Sequence, residues 1–213
     1  MKRSRIDKMP KTGVHCYKMK PVLFFLLVIA TLTATSQNNF HDSLIAYQTN
    51  YKKDLFKIIK DDTAFVRFYE PDAQYRIIAR IELLPSQPFF GMSTSGGSEF
   101  KAKRYAKLSF TLSGKPYELF AYQLGFLLES KDNKDDFFIP FTDESSGESS
   151  YEGGRYLDFK VSDIVGNELI IDFNRAYNPY CAFTTGYNCP IPPSENALPV
   201  PIAAGEQKFA KGH

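Results

Sequence analysis

Two hydrophobic periods divide the chain. From Asn38 to Lys60, the residues Phe40, Leu44, Tyr47, Tyr51, Leu55, Ile58 and Ile59 recur at steps of three and four. That spacing predicts one amphipathic helix, ended by Asp61-Asp62. From Ala64 onward the period falls to two. Tyr75, Ile77, Ala79, Ile81 and Leu83 share one face, with Arg76, Arg80 and Glu82 on the other. This is the pattern of a half-buried strand, stopped by Pro85 and Pro88. A Gly/Ser-rich stretch at 93–99 matches no phosphate-loop spacing and is expected to be a solvated loop.

Two hairpins follow. Around Ser113-Gly114, a two-residue turn sets Phe110 opposite Tyr117, Leu108 opposite Leu119 and Ala106 opposite Ala121, all on one face. Around Val165-Gly166-Asn167, a three-residue loop would pair Leu157 with Arg175, Phe159 with Phe173 and Val161 with Ile171. In that register Arg155 and Arg175 stand at the open end of an apolar face, with Tyr177 opposite Arg155. A strand near Phe137–Phe141 lies between the hairpins. The polar stretch 143–154 lacks the alternating acidic pattern of a calcium loop. The segment 179–201 is Pro-rich and reads as extended, irregular chain; Val200 to Ala204 is expected to re-enter the sheet as an edge strand. The predicted fold is mainly β: an antiparallel barrel or sandwich-like domain of about eight strands with one N-terminal helix.

Composition supports this picture: 19 Phe and 13 Tyr without Trp favour strands. Val22 to Ala30 is an unbroken apolar run, preceded by Lys18 and Lys20 and followed by Ala34-Thr35-Ser36. It is too short to span a bilayer and reads as a secretory signal peptide over residues 1–36, cut after Ser36. Met19 is an alternative start. The expected mature domain, 37–213, is then periplasmic or secreted, without a stable membrane span. Without the leader the chain carries 19 basic and 23 acidic residues, a net of −4, so nucleic acid is not an expected partner. Cys181 and Cys189 remain, and export makes a disulfide the default reading, with a free pair or a metal or nucleophile role as alternatives.

The chemistry is narrow. Histidine occurs only at His15, His41 and His213, which disfavours a Ser-His-Asp triad, a Cys-His pair and an HExxH zinc site. No dinucleotide, phosphate-loop or CxxC motif is present, and neither cofactor nor metal is expected. Paired carboxylates among Asp172, Glu195 and Glu206 would suit a hydrolase acting on envelope material. Arg155 and Arg175 suit the fork recognition of an anion. The alternative is a structural ion pair, for example Arg175 with Glu195 or Glu206, clamping the Pro-rich tail to the barrel.

The strings GGRYLDF at 153–159, DFNRAYNPYCAF at 172–183 and CPIPPSENALPVPIAAGE at 189–206 resemble the bacterial family called domain of unknown function 1684. The resemblance covers roughly residues 40 to 210. Its motif positions include Arg155, Asp158, Asn174, Arg175, Tyr177, Asn178, Cys181, Cys189, Glu195, Asn196, Gly205 and Glu206, and it implies no activity. The leading expectation is a non-enzymatic exported domain. It would bind a small anionic or amphipathic ligand, or a partner segment, with Arg155, Arg175, Tyr177, Asn174, Glu195 and Glu206. The alternatives are the carboxylate hydrolase and a purely structural or assembly protein.

Overall fold

The computed structural model describes residues 21–211, with side chains from residue 39 onward. The expected leader and its cleavage point lie outside the residues whose side chains are described. The chain divides between Asn39 and Phe40, and the sheet and its site belong to the second unit. Helix α1 (Pro21–Ile59) begins well before the predicted Asn38 and ends as expected, passing into a 3-10 turn over Lys60–Phe65.

Six strands form the main sheet: β1 (Arg76–Leu83), β3 (Glu99–Leu112), β4 (Lys115–Leu124), β5 (Asp136–Asp143), β6 (Arg155–Lys160) and β7 (Glu168–Asp172). Their order is β6-β5-β4-β3-β1-β7. Two short strands attach to it. β2 (Phe90–Ser93) pairs antiparallel with β3, and β8 (Ala197–Leu198) pairs parallel with β5. The sheet curls into a half-barrel. Its concave face buries Ile77, Ala79, Ile81, Leu108, Leu119, Phe137, Ile139, Phe141, Leu157 and Phe173. The convex face carries a second cluster around Met92, Tyr122, Phe138 and Tyr156.

The first hairpin has the predicted register, Phe110 facing Tyr117, Leu108 facing Leu119 and Ala106 facing Ala121. Its turn places Ser113 and Gly114 at positive φ (51° and 77°), as a two-residue turn of the right twist requires. The second hairpin does not form. β6 pairs with β5, Phe159 facing Phe137 and Leu157 facing Ile139. β7 pairs with β1, Ile171 facing Ile77 and Leu169 facing Ala79. The turn chemistry explains the separation. After Lys160 the chain enters a 3-10 turn at Val161–Asp163, where the Lys160 amide donates to Asp163 Oδ2 at 2.8 Å. A tight Val165–Glu168 turn then redirects β7 towards β1. Two expectations about loops also change. Residues 200–204 form no strand, and the 93–99 stretch is docked: the Ser95 amide donates to the Cys189 carbonyl (2.9 Å) and the Gly96 amide to Asn188 Oδ1 (2.8 Å).

β4 and β5 meet at a single residue pair, Tyr122 and Phe138. Where they diverge, the fully buried Asn196 side chain replaces a strand. Its Oδ1 accepts from the Phe120 amide (2.8 Å), and its Nδ2 donates to the carbonyls of Phe120 (2.8 Å) and Pro140 (2.6 Å). Asn196→Leu leaves three main-chain groups without partners, one buried at Pro140 and two partly buried at Phe120. The expected loss is about 3 kcal/mol or more, at 1–3 kcal/mol for each orphaned group, read as a fall in the urea midpoint. A loss below about 1 kcal/mol would show that β4 and β5 close without this side chain.

Candidate functional site

The two end strands of the sheet, β6 and β7, lie on either side of an open seam. A cavity of about 490 Å³ fills it, lined by Leu157, Asp158 and Phe159 of β6, by Leu169, Ile170 and Asp172 of β7, and by Tyr47, Arg76, Asp163, Arg175 and Tyr177. A second cavity of about 450 Å³, more apolar and lined by Leu124, Leu127, Phe138, Tyr156 and Pro190, shares Asp158, Phe159, Asp163 and Tyr177 with the first. The Asp158–Tyr177 pair, with the phenol donating to Oδ2 at 2.6 Å, therefore forms part of a wall common to both.

Alternation places these side chains. Leu157 and Leu169 point to the barrel interior, whereas Asp158, Ile170 and Asp172 belong to the opposite set on their strands. Main-chain pairing places Arg76 directly across from Asp172. The chain after β7 makes a 3-10 turn at Phe173–Arg175, capped by Asp172, and brings Tyr177 onto the edge of β6. There Tyr156 and Tyr177 exchange two main-chain hydrogen bonds, at 2.9 and 3.1 Å. Tyr177 thus lies opposite Tyr156, not Arg155.

The carboxylates at the seam have partners. Asp172 Oδ1 accepts from the amide and Nδ2 of Asn174 (3.1 and 2.8 Å), Asp163 from the Lys160 amide, and Asp158 from Tyr177. The walls crowd water from the Asp158 carboxyl and raise its pKa, and the Tyr177 hydrogen bond only partly offsets this. The guanidiniums are freer. Arg175 is 52% exposed, with its nearest carboxylate, Asp172, at 4.0 Å, and it stacks 5.2 Å from the Tyr47 ring centre. Arg76 makes no ion pair and no side-chain hydrogen bond among the described residues.

The remaining predicted residues lie elsewhere. Arg155 is only 1% exposed and does not stand at the rim with Arg175. It pairs with Asp143 at 2.8 Å and donates to the carbonyls of Ile202 (2.9 Å), Ala204 (2.5 Å) and Glu206 (3.1 Å). It is the tail clamp, a role that the sequence suggested for Arg175. Two glycines make the clamp compact. A Cβ on Gly154 or Gly205, both at positive φ, would sit 2.6 Å from a backbone carbonyl oxygen. Asn174, also buried, fastens Asp72 to β7 through the Asp72 amide and carbonyl. Glu195 lies on the convex face in a two-pronged pair with Arg104 (2.7 and 2.5 Å) and accepts from Tyr122. Arg104 holds its carboxyl below the usual range. Of the three carboxylates considered for hydrolysis, Asp172 alone lines the seam. Cys181 and Cys189 face each other with Cα atoms 6.4 Å apart, within the reach of a disulfide. No cluster of metal-binding side chains occurs among the described residues.

Sequence reasoning missed Arg76, Asp158, Asp163 and Tyr47. Asp158 stands in the string GGRYLDF but was not read as a site residue, and the segments that carry Arg76, Asp163 and Tyr47 have no local mark of a site. These residues meet because β6 and β7, the two ends of the sheet order, come to either side of one cavity when the sheet curls. Sequence reasoning also missed Asp143, which follows the apolar run of β5 and is buried where Arg155, Ser145 and the Ile202 amide close around its carboxylate.

Beside the clamp, Glu206 is fully buried. Its Oε2 accepts from Tyr51 of α1 (3.0 Å) and from the Asn178 amide (2.8 Å), whereas Oε1 has no partner. Burial pushes its pKa up to about 8, against the lowering effects of Asn178, Tyr51 and Arg155.

Fold and site together define the class: an antiparallel half-barrel with an unclosed seam and a tail locked by a buried arginine. The chain belongs to the family described as "Protein of unknown function (DUF1684)", whose model matches residues 64–207. That range contains every lining residue of the seam except Tyr47. The chain is also similar to an uncharacterized protein from gene locus rrnAC0354 of Haloarcula marismortui, known from a solution NMR structure. The two are 27% identical with a TM-score of 0.61, over 81% of this chain and 96% of the other. No curated protein matches the chain.

Glu206 supplies a prediction. Its folded pKa of about 8 lies above its ordinary value of 4.5, so the folded state binds the extra proton between those values. Its contribution to stability is full below about pH 4.5 and is lost as pH rises towards 8. Glu206→Gln removes the titration while keeping an oxygen for Tyr51 and Asn178. Melting temperatures measured from pH 5 to 8.5 should fall for the parent and fall less for the variant. Parallel curves would assign the slope to another group.

Proposed function

We propose that the protein is an exported, non-enzymatic binding domain that takes a small, partly apolar anionic ligand in the β6–β7 seam. Arg76 and Arg175 hold the anionic group, Tyr177 and Tyr47 flank it, and Leu157, Phe159 and Leu169 accept the apolar part. The observation that carries this reading is Arg175. A guanidinium at the mouth of a cavity of about 490 Å³ lacks a carboxylate closer than 4.0 Å, whereas Arg104 and Arg155 are committed to tight pairs. The volume is that of an ordinary small-molecule site. Planar guanidiniums suit carboxylate, phosphate or sulfate. Export rests on the apolar run at Val22–Ala30 with its basic flank and small-residue exit.

Calorimetric titration with decanoate tests the reading, with decyltrimethylammonium as the control of opposite charge. Decanoate binds and the cation does not. Arg175→Gln and Arg76→Gln each weaken decanoate by about tenfold or more, the size of a hydrogen bond to a charged group. A folded double variant that binds decanoate as the parent does would overturn the assignment.

A further inference from the structure

The seam is bordered by backbone as well as by side chains. In β6, Tyr156 directs its N–H and C=O away from β5, towards Tyr177. Alternation then turns the N–H and C=O of Asp158 the same way, into the seam. In β7, Glu168 turns its main chain away from β1 and towards Val165, and the Ile81 amide donates to the Asn167 carbonyl. By the same alternation Ile170 and Asp172 direct their main-chain groups into the seam from the other side. None of these three residues has a main-chain partner on that side among the described residues.

Charge is also ordered along the gap. Arg76 and Arg175 stand at the end where β7 finishes, beside Asp172, whose Oδ1 is held by Asn174, and Asp163 lines the end where β7 begins. The separation of the two ends is roughly the length of β7, about 13 Å for a strand of this size.

From these unpaired edges and this polarity we infer that the seam takes a short extended peptide with a free C-terminal carboxylate as an additional strand. This deepens the anion-binding function proposed for the seam and rests on it, because the same two arginines hold the carboxylate. The peptide carboxylate meets Arg76 and Arg175, and its ammonium lies towards Asp163. That orientation makes the peptide parallel to β7 and antiparallel to β6. Its main chain completes hydrogen bonds to Asp158 on one side and to Ile170 and Asp172 on the other. The contacts are those of strand addition, in which backbone bonds give affinity and alternate side chains fill pockets. Small apolar side chains on the peptide meet Leu157 and Leu169 on the inner side.

The test uses the tetrapeptide Ala-Val-Ala-Val on the purified protein. It is compared with its C-terminal amide, with an analogue N-methylated at the two central residues, and with decanoate. Binding is read by titration and by the amide resonances of Asp158, Ile170 and Asp172. The inference expects the free acid to bind and shift these resonances. The amide should bind about tenfold more weakly, for loss of a charged hydrogen-bonded group, and the N-methylated analogue should lose binding. Decanoate binding that depends on Arg76 and Arg175, with no binding of the free peptide, would overturn the strand while leaving the anion site standing. Equal binding of the N-methylated and parent peptides would also overturn it. Binding of neither decanoate nor peptide would remove both readings.

Discussion

The buried Arg155–Asp143 pair organises one end of the molecule. Burying two charges is costly unless the pair is close and the remaining donors are satisfied. Here they are 2.8 Å apart, and the two terminal nitrogens of the guanidinium also donate to three carbonyls of the C-terminal segment, leaving Nε as its one buried donor without a partner among the described residues. Asp143 Oδ1 in turn accepts from Ser145 and from the Ile202 amide. A Pro-rich segment with little ladder bonding of its own is thereby fixed to the ends of β5 and β6. The tail passes the arrangement on: the Glu206 amide donates to the Ala176 carbonyl and the Tyr69 amide to the Gly205 carbonyl.

This arrangement bears directly on the seam. With residues 173–178 held against the tail, Tyr177 occupies the β6 edge at Tyr156, and the chain leaves β7 at Asp172 in a 3-10 turn. At the other end the Val161–Asp163 turn spreads β6 from β7. Both ends are set by local contacts, and the strands between them keep one edge each without a ladder partner. Exposed strand edges usually invite pairing with other chains. Here the edges are short, recessed in a cavity and bordered by charges, which restricts what can add to them.

How much of this was legible in the sequence depends on the range of each interaction. The β3–β4 register was readable because a two-residue turn at Ser113-Gly114 ties alternation to a fixed pairing. The β6 and β7 alternation was equally readable, but their partners were not. Phe159 finds an aromatic partner in Phe137 as well as it would in Phe173, and Ile171 packs as well opposite Ile77 as opposite Val161. Period two specifies a face, not a neighbour. Arg155 was misplaced for the same reason. An arginine preceding an apolar strand resembles a rim residue until Asp143 and carbonyls from residues 202–206 close around it. The motifs GGRYLDF and AGE, which carry the family resemblance, are in large part this clamp. The seam arginines are spread over β1 and the turn after β7, and only the sheet order brings them together.

Ligand binding between β6 and β7 requires the seam to be open in solution, and amide hydrogen exchange resolved by residue is the most direct measurement of that. The amides of Leu157, Leu169 and Ile171 lie in ladders with β5 and β1 and should be protected. Those of Asp158 and Ile170 face the seam and should exchange rapidly in the free protein. Protection of Asp158 and Ile170 equal to that of Leu169 would mean that β6 and β7 close on each other, and would contradict an open seam outright.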